Sequence, residues 1–162
     1  MKVVFDNLAI GWETKGKLIK GVYGGESERL IKELGNFVED GMLIADVGCG
    51  TGKVTKALLS LDKDINIVAV DKSINMLHKL REETREPSNL EIMESDVETM
   101  WHSEKFDLIL MQQLIHHLPN PTKALANAKR LLKSGGKIIL LVIGDEHMNE
   151  LFLFDEKKRF IW

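Results

Sequence analysis

Apolar residues fall in two rhythms along this chain, and the rhythms alternate. Residues 42–47 form an apolar run broken only by Asp46, with the length and character of a short buried strand. Comparable runs recur at 66–70, 90–93, 106–111 and 137–143. The run at 106–111 is apolar at almost every position, as a parallel strand covered on both faces would be. Between the runs the period lengthens to that of a helix. Val54, Ala57, Leu58 and Leu61 mark a helix at about 53–61, and Met76, Leu77 and Leu80 mark another at 74–84, with Pro87 barring its continuation. A third covers 121–132, with Pro121 in its first turn and Ser134-Gly135-Gly136 as its stop. Ahead of them all, Leu30, Ile31, Leu34, Phe37 and Val38 give residues 26–38 a helical stripe, and Gly41 stands where that helix would end. Strand-helix alternation of this kind predicts an α/β domain: a mainly parallel sheet with helices on both faces.

The candidate chemistry sits where the first strand meets its helix. The strand runs into Gly48, Gly50 and Gly52, three glycines at alternate positions. Without Cβ atoms, such a turn admits positive φ and lets a ligand press against bare backbone beside a helix N-terminus. The second strand ends in Asp71, 19 residues beyond Gly52. An acid at that tip, about 20 residues past a glycine turn, is where doubly wound folds grip a ribose diol. Taken alone, Asp71 reads equally well as a helix N-cap, as does Ser73. Paired with the glycine turn, it reads as a ribose ligand.

The turn is spaced G-x-G-x-G, not the G-x-G-x-x-G of dinucleotide enzymes, and Asp46 extends it to D-x-G-x-G-x-G. Here the chain resembles the class I S-adenosylmethionine-dependent methyltransferases. The matching pieces, in the family's order, begin with Ala45-Asp46-Val47-Gly48-Cys49-Gly50-Thr51-Gly52 and Val70-Asp71-Lys72-Ser73 with Met76-Leu77. They continue with Ser95-Asp96-Val97, then Phe106-Asp107-Leu108-Ile109-Leu110 leading to His116-His117-Leu118, and Leu131-Leu132-Lys133-Ser134-Gly135-Gly136-Lys137. The resemblance covers roughly residues 40–143 and implies a Rossmann-like, doubly wound sheet. It also implies S-adenosyl-L-methionine as cofactor, S-adenosyl-L-homocysteine as product, and Asp46, Gly48, Cys49, Gly50, Gly52, Asp71, Lys72, Met76, Asp96, Val97 and Gln112 as cofactor-binding residues. In that frame Asp96 bonds the adenine amine and the Val97 backbone amide meets the ring. Read from its residues alone, Asp96 is also a suitable cap for a short helical turn.

Methyl transfer from a sulfonium is an in-line displacement in which the protein chiefly positions, desolvates and at times removes a proton. Asp46 either braces the glycine turn or meets the ligand's ammonium through water, and the two roles are compatible. His116 and His117 are the candidates for a general base near the active face, with His116 the catalytic choice and His117 a packing residue. A metal site joining these histidines to Asp145, Glu146 and His147 meets no spacing rule, so none is expected. Cys49 lacks the flanking of a nucleophile. The Asn-Pro-Pro-Tyr type of signature is missing after the fourth strand, where Gln112-Gln113 stands. These features favour a small-molecule acceptor.

Bulk properties narrow the partners. The chain has 162 residues, 44% hydrophobic and 29% charged, which suits one soluble domain. A net charge of −3 offers no overall basic field for nucleic acid or an anionic membrane, and no apolar run approaches the ~20 residues of a membrane helix. One cysteine fits a reducing, cytoplasmic setting, and the polar turn at Asp6 argues against a signal peptide. Residues 1–25, glycine-rich with Phe5, Trp12 and Tyr23, read as a loosely packed N-terminal arm, which the resemblance would make a lid over cofactor and substrate, and residues 26–162 as the cofactor-binding core. Only 19 residues follow Ile143, so the family's usual C-terminal helix and antiparallel strand pair are expected to be reduced or missing. The terminal Phe160-Ile161-Trp162 looks cut, and a homo-oligomer that covers the exposed edge is expected. The alternative function is a non-catalytic module, or a truncated subunit, that binds S-adenosylmethionine or S-adenosylhomocysteine.

Overall fold

The computed structural model of the protein describes residues 32–143 and 149–154. The expected arm or lid at 1–25, the Asp145-Glu146-His147 segment and residues 155–162 lie outside the described residues. Strands β1 (Leu43–Val47), β2 (Asn66–Asp71), β3 (Leu90–Glu94), β4 (Phe106–Gln112), β5 (Leu132–Ile143) and β6 (Asn149–Phe154) form one sheet in the order β3-β2-β1-β4-β5-β6. The first five are parallel, and β6 runs antiparallel to β5. The expected C-terminal reduction takes the form of this single antiparallel strand among the described residues.

Register decides which apolar residues share a face. Ile44 of β1 lies beside Ile67 of β2 and Leu108 of β4, whereas Ala45 lies beside Val68 and Ile109. The first row joins one core with Val54 and Leu58 of α1 (Lys53–Leu59) and Leu77 and Leu80 of α2 (Ile74–Thr84). The second joins another core with Ala124, Ala128 and Leu131 of α3 (Pro121–Leu131). Each fully buried leucine contributes about 2 kcal/mol by removal from water. Handedness explains the partition. Right-handed crossovers from β1 to β2 to β3 step one way along the sheet, while that from β4 to β5 steps the other way, so α3 must cover the opposite face. The direction reverses between β1 and β4, and in doubly wound folds ligands bind at such a reversal, outside the carboxyl ends of the strands.

The structure adjusts several expected boundaries. Of the helix expected at 26–38, residues 26–31 lie outside the described residues; the described part is helical at 32–34 and gives way to turns at Gly35-Asn36-Phe37, two of them poor helix formers, with Leu34 and Val38 buried as expected. The first helix stops at Leu59, where the Ser60 hydroxyl donates to the Ala57 carbonyl at 2.7 Å. The Ser134-Gly135-Gly136 stretch, expected as a plain helix stop, lies inside β5. Leu132 already pairs with Phe106, and the register shifts before Leu108 meets Lys137, a bulge that Gly135 permits at φ +79°. Among the described residues no helix is long and apolar enough to cross a membrane.

Candidate active site

The glycine turn lies directly over the carboxyl end of β1. Gly48 and Cys49 N–H groups both donate to the Val70 carbonyl, at 2.7 and 3.0 Å, which ties the turn to the tip of β2. Gly48, Gly50 and Gly52 all have positive φ, but they serve different ends. A Cβ on Gly52 would stand 2.1 Å from Leu80 Cδ1, so this glycine lets α2 close on the turn. Among the described residues a Cβ on Gly50 would meet nothing within 4 Å, so the backbone there has room beside it that a ligand can occupy.

Asp46 is 1% exposed and points to the α1 side of the sheet, where it accepts a hydrogen bond from Thr55 Oγ1 at 2.6 Å. Burial pushes its carboxyl up from the ordinary 3.8 to about 6; Thr55 opposes the rise and the Asp71 charge adds to it. Asp46 is expected to brace the glycine turn or meet the ligand; its side-chain bond goes to Thr55 in the first turn of α1, just beyond the glycines. Cys49 is buried in the turn, and burial, with the nearby Asp46 and Asp71 charges, raises its thiol pKa well above the ordinary range. A thiol so protonated is no nucleophile at neutral pH.

At the tip of β2, Asp71 Oδ2 accepts from Gly50 N–H and Oδ1 from Ser73 N–H, both at 2.9 Å. Its carboxylate is thus locked beside the open face of Gly50, with lone pairs still available on each oxygen. Ser73, not Asp71, is the N-cap of α2, accepting from Met76 N–H at 3.4 Å. Met76 is buried at the start of that helix and Lys72 is half-exposed beside Asp71.

Past β3, residues 96–100 form a single turn in which Asp96 Oδ1 accepts from Glu98 N–H at 2.9 Å. The capping reading of Asp96 is correct for that oxygen. Among the described residues Oδ2 and the Val97 N–H have no protein partner, while the Val97 side chain is buried in the α3-side core. The Asp96 and Val97 groups left over are the acceptor and donor that an adenine edge requires.

Gln112 ends β4 half-buried, and Gln113 follows in a left-handed conformation at φ +51°, its N–H donating to the Leu141 carbonyl at 2.8 Å. The short helical turn Ile115–His117 then places His116 at the surface and His117 half-buried, their ring centroids 4.0 Å apart. Burial, and then the neighbouring His116, lowers the His117 pKa. Sequence reasoning missed two polar residues that serve this site, Thr55 on α1 and Asn127 on α3. The signal was a polar side chain on or beside an otherwise apolar helix stripe. A shallow cleft lined by Phe37, Met42, Asp107 and Gly135 opens at the opposite ends of the strands and holds none of the expected site residues.

Residues 45–140 match the family model described as a methyltransferase domain. The chain is 32% identical to a malonyl-[acyl-carrier protein] O-methyltransferase of Paenibacillus sp. (strain JDR-2), a match that covers 67% of this chain and 41% of that protein. It is 26% identical to a ubiquinone biosynthesis O-methyltransferase of Coxiella burnetii (strain Dugway 5J108-111), covering 86% and 59%. The chain thus spans less than two thirds of the length of these curated relatives. In fold it is similar to a solved complex between the Haloferax volcanii Trm112 methyltransferase activator and a methyltransferase. There the TM-score is 0.72 at 22% identity, covering 85% of this chain and 59% of the matched one. With the glycine turn, the acid at the tip of β2 and the acid past β3 all standing at the carboxyl ends of neighbouring parallel strands, the chain belongs to the methyltransferase-domain family, in its class I S-adenosylmethionine-dependent form.

Proposed function

We propose that this chain binds S-adenosylmethionine across the carboxyl ends of β1 to β4 and directs methyl transfer to a small-molecule acceptor. One observation carries the reading: Asp71, fixed through both oxygens by Gly50 and Ser73 N–H groups, stands beside a glycine whose Cβ position is clear of every described residue. Such a carboxylate accepts two ribose hydroxyls without moving. Asp96 Oδ2 and the Val97 N–H take the adenine edge, with Met76 and Cys49 as its apolar surroundings. The turn from Gly48 to Gly52, braced beneath by Asp46, receives the amino-acid end together with Lys72 and Gln112. When bound, the cofactor supplies a methyl group on a positively charged sulfur and a neutral thioether as leaving group. The chain's own residues orient the acceptor in line, exclude water, and, at His116, accept the acceptor's proton. Both curated relatives named above are O-methyltransferases, which favours an oxygen acceptor.

Calorimetric titration with S-adenosylhomocysteine, on the parent and on Asp71→Ala, tests the reading. Losing two charge-assisted hydrogen bonds of about 1.5–3 kcal/mol each should weaken binding by about a hundredfold or more. A folded parent that does not bind, or an Asp71→Ala variant that binds as well as the parent, would refute it. Turnover is then sought as acceptor-dependent release of S-adenosylhomocysteine over a panel of small hydroxyl and carboxyl compounds.

A further inference from the structure

The turn at residues 96–100 does not hold itself together. Thr99 and Met100 N–H groups donate to the Asp96 carbonyl at 3.0 and 2.7 Å, making one isolated helical turn. A lone turn is unfavourable in water and leaves its own carbonyls without intrahelical partners. Asn127 of α3 supplies them. Its Nδ2 donates to the Val97 carbonyl at 2.8 Å and to the Met100 carbonyl at 3.0 Å. Its Oδ1 accepts from Arg130 Nη2 at 2.8 Å and Nε at 3.2 Å, which fixes the direction in which the amide points. From the other side, Glu98 accepts the Asn120 N–H at 3.2 Å and faces Lys123 Nζ at 3.5 Å.

Packing does not explain this asparagine. It lies on the stripe of α3 that carries the buried Ala124, Ala128 and Leu131, where an apolar side chain would serve the core better. A half-buried amide is unfavourable unless its hydrogens are satisfied, and both are directed at this one turn. The turn in question presents the Asp96 Oδ2 and the Val97 N–H.

We infer that Asn127 is a positioning residue for adenine recognition: by holding the Val97 and Met100 carbonyls it sets the spacing of the Asp96 carboxylate and the Val97 N–H, and with it the preference for adenine over a 6-oxo purine. The inference rests on the cofactor reading above. Adenine offers a donor at its amine and an acceptor at N1, and hypoxanthine offers the reverse. An acceptor and a donor held at fixed spacing therefore favour adenine, and a loosened turn discriminates less. Asp71, on β2, grips the ribose of either ligand alike.

The test is the ratio of affinities for S-adenosylhomocysteine and S-inosylhomocysteine, measured by calorimetry on the parent, Asn127→Leu, Arg130→Met and Asp71→Ala. Asn127→Leu keeps the volume and removes both donors. It should shrink the ratio by about tenfold, the equivalent of one net hydrogen bond. Arg130 is exposed, so Arg130→Met spares the fold; it frees the Asn127 amide to rotate and removes the Arg130 Nη2 bond to the Met100 carbonyl at 3.4 Å, and should shrink the ratio by a smaller factor of about threefold. Asp71→Ala should weaken both ligands and leave the ratio unchanged, a pattern that general loosening of the site cannot imitate. A folded Asn127→Leu with the parent ratio overturns the inference. Should that variant not fold, a parent ratio in Arg130→Met overturns it equally. A parent that binds neither ligand removes the cofactor reading and this inference together, whereas binding lost in Asp71→Ala with an unchanged ratio in the asparagine variant removes this inference alone.

Discussion

Asp46 is an ionisable group held almost wholly out of water, and its substitution by asparagine tests the electrostatics of the site. Its carboxyl titrates at about 6 in the folded chain against an ordinary 3.8. Between those two values the folded state keeps a proton that the unfolded state has lost. The Asp46 contribution to stability is therefore most favourable below about pH 4, falls as pH rises towards 6, and levels off above it. The gap of about two pH units corresponds to about 3 kcal/mol, the approximate cost of ionising this buried carboxylate at neutral pH. Asp46→Asn removes the charge and preserves an oxygen for the Thr55 hydroxyl. Its amide hydrogens need partners, so the net gain at pH 7.5 should be about 1–3 kcal/mol, shrinking towards zero near pH 4. Urea denaturation of the parent and the variant, at half-unit steps from about pH 4 to about pH 8, gives the difference curve. His117, whose lowered pKa makes stability rise with pH through the histidine range, contributes equally to both proteins and cancels. A difference curve that is flat with pH, or a variant that is less stable at pH 7.5, would refute this account of Asp46. The same variant should bind S-adenosylhomocysteine more weakly if the carboxylate also meets the ligand's ammonium.

Gly50 and Gly52 should separate on substitution. Gly52→Ala drives a Cβ into Leu80 at φ +81°, and thermal denaturation should show a loss of about 3 kcal/mol or more. Gly50→Ala meets open space and only the strain of φ +55°, so it should lose about 1 kcal/mol yet abolish cofactor binding in calorimetry. Thr55→Val removes the bond to Asp46 and should move the pH midpoint of the parent's stability curve upwards, with a loss of about 1–2 kcal/mol at pH 7.5 read by urea denaturation. Leu58→Ala, at a fully buried position of α1, should cost about 2–5 kcal/mol in the same assay.

Much of this architecture was legible in residue order because it is local. A strand that ends in three alternate glycines, a second strand that ends in an acid, and helices with apolar stripes are each encoded within about a dozen residues. Asp71 could be placed from its distance to Gly52 alone, since a single helix and strand of ordinary length separate the two. The choice between ribose ligand and helix cap depended on geometry: Ser73 took the cap, which left Asp71 to hold Gly50. Likewise Asp96 proved to be a cap through one oxygen, with the other left over. Thr55 and Asn127 were illegible for a different reason. Thr55 is nine positions from Asp46, and Asn127 lies 30 positions from Val97 across a whole strand and loop, so no periodicity links either pair. The early start of β5 was hidden as well, because Ser134-Gly135-Gly136 has the composition of a turn and becomes strand only when β4 is alongside to pair with it. Local propensity and spacing thus account for the elements and for the acid at each strand tip. The burial that raises the Asp46 pKa, the Asn127 clamp on the turn at 96–100 and the bulged pairing of β5 arise from contacts between segments far apart in the chain, whose cost in loop entropy is offset only once the sheet has closed around them.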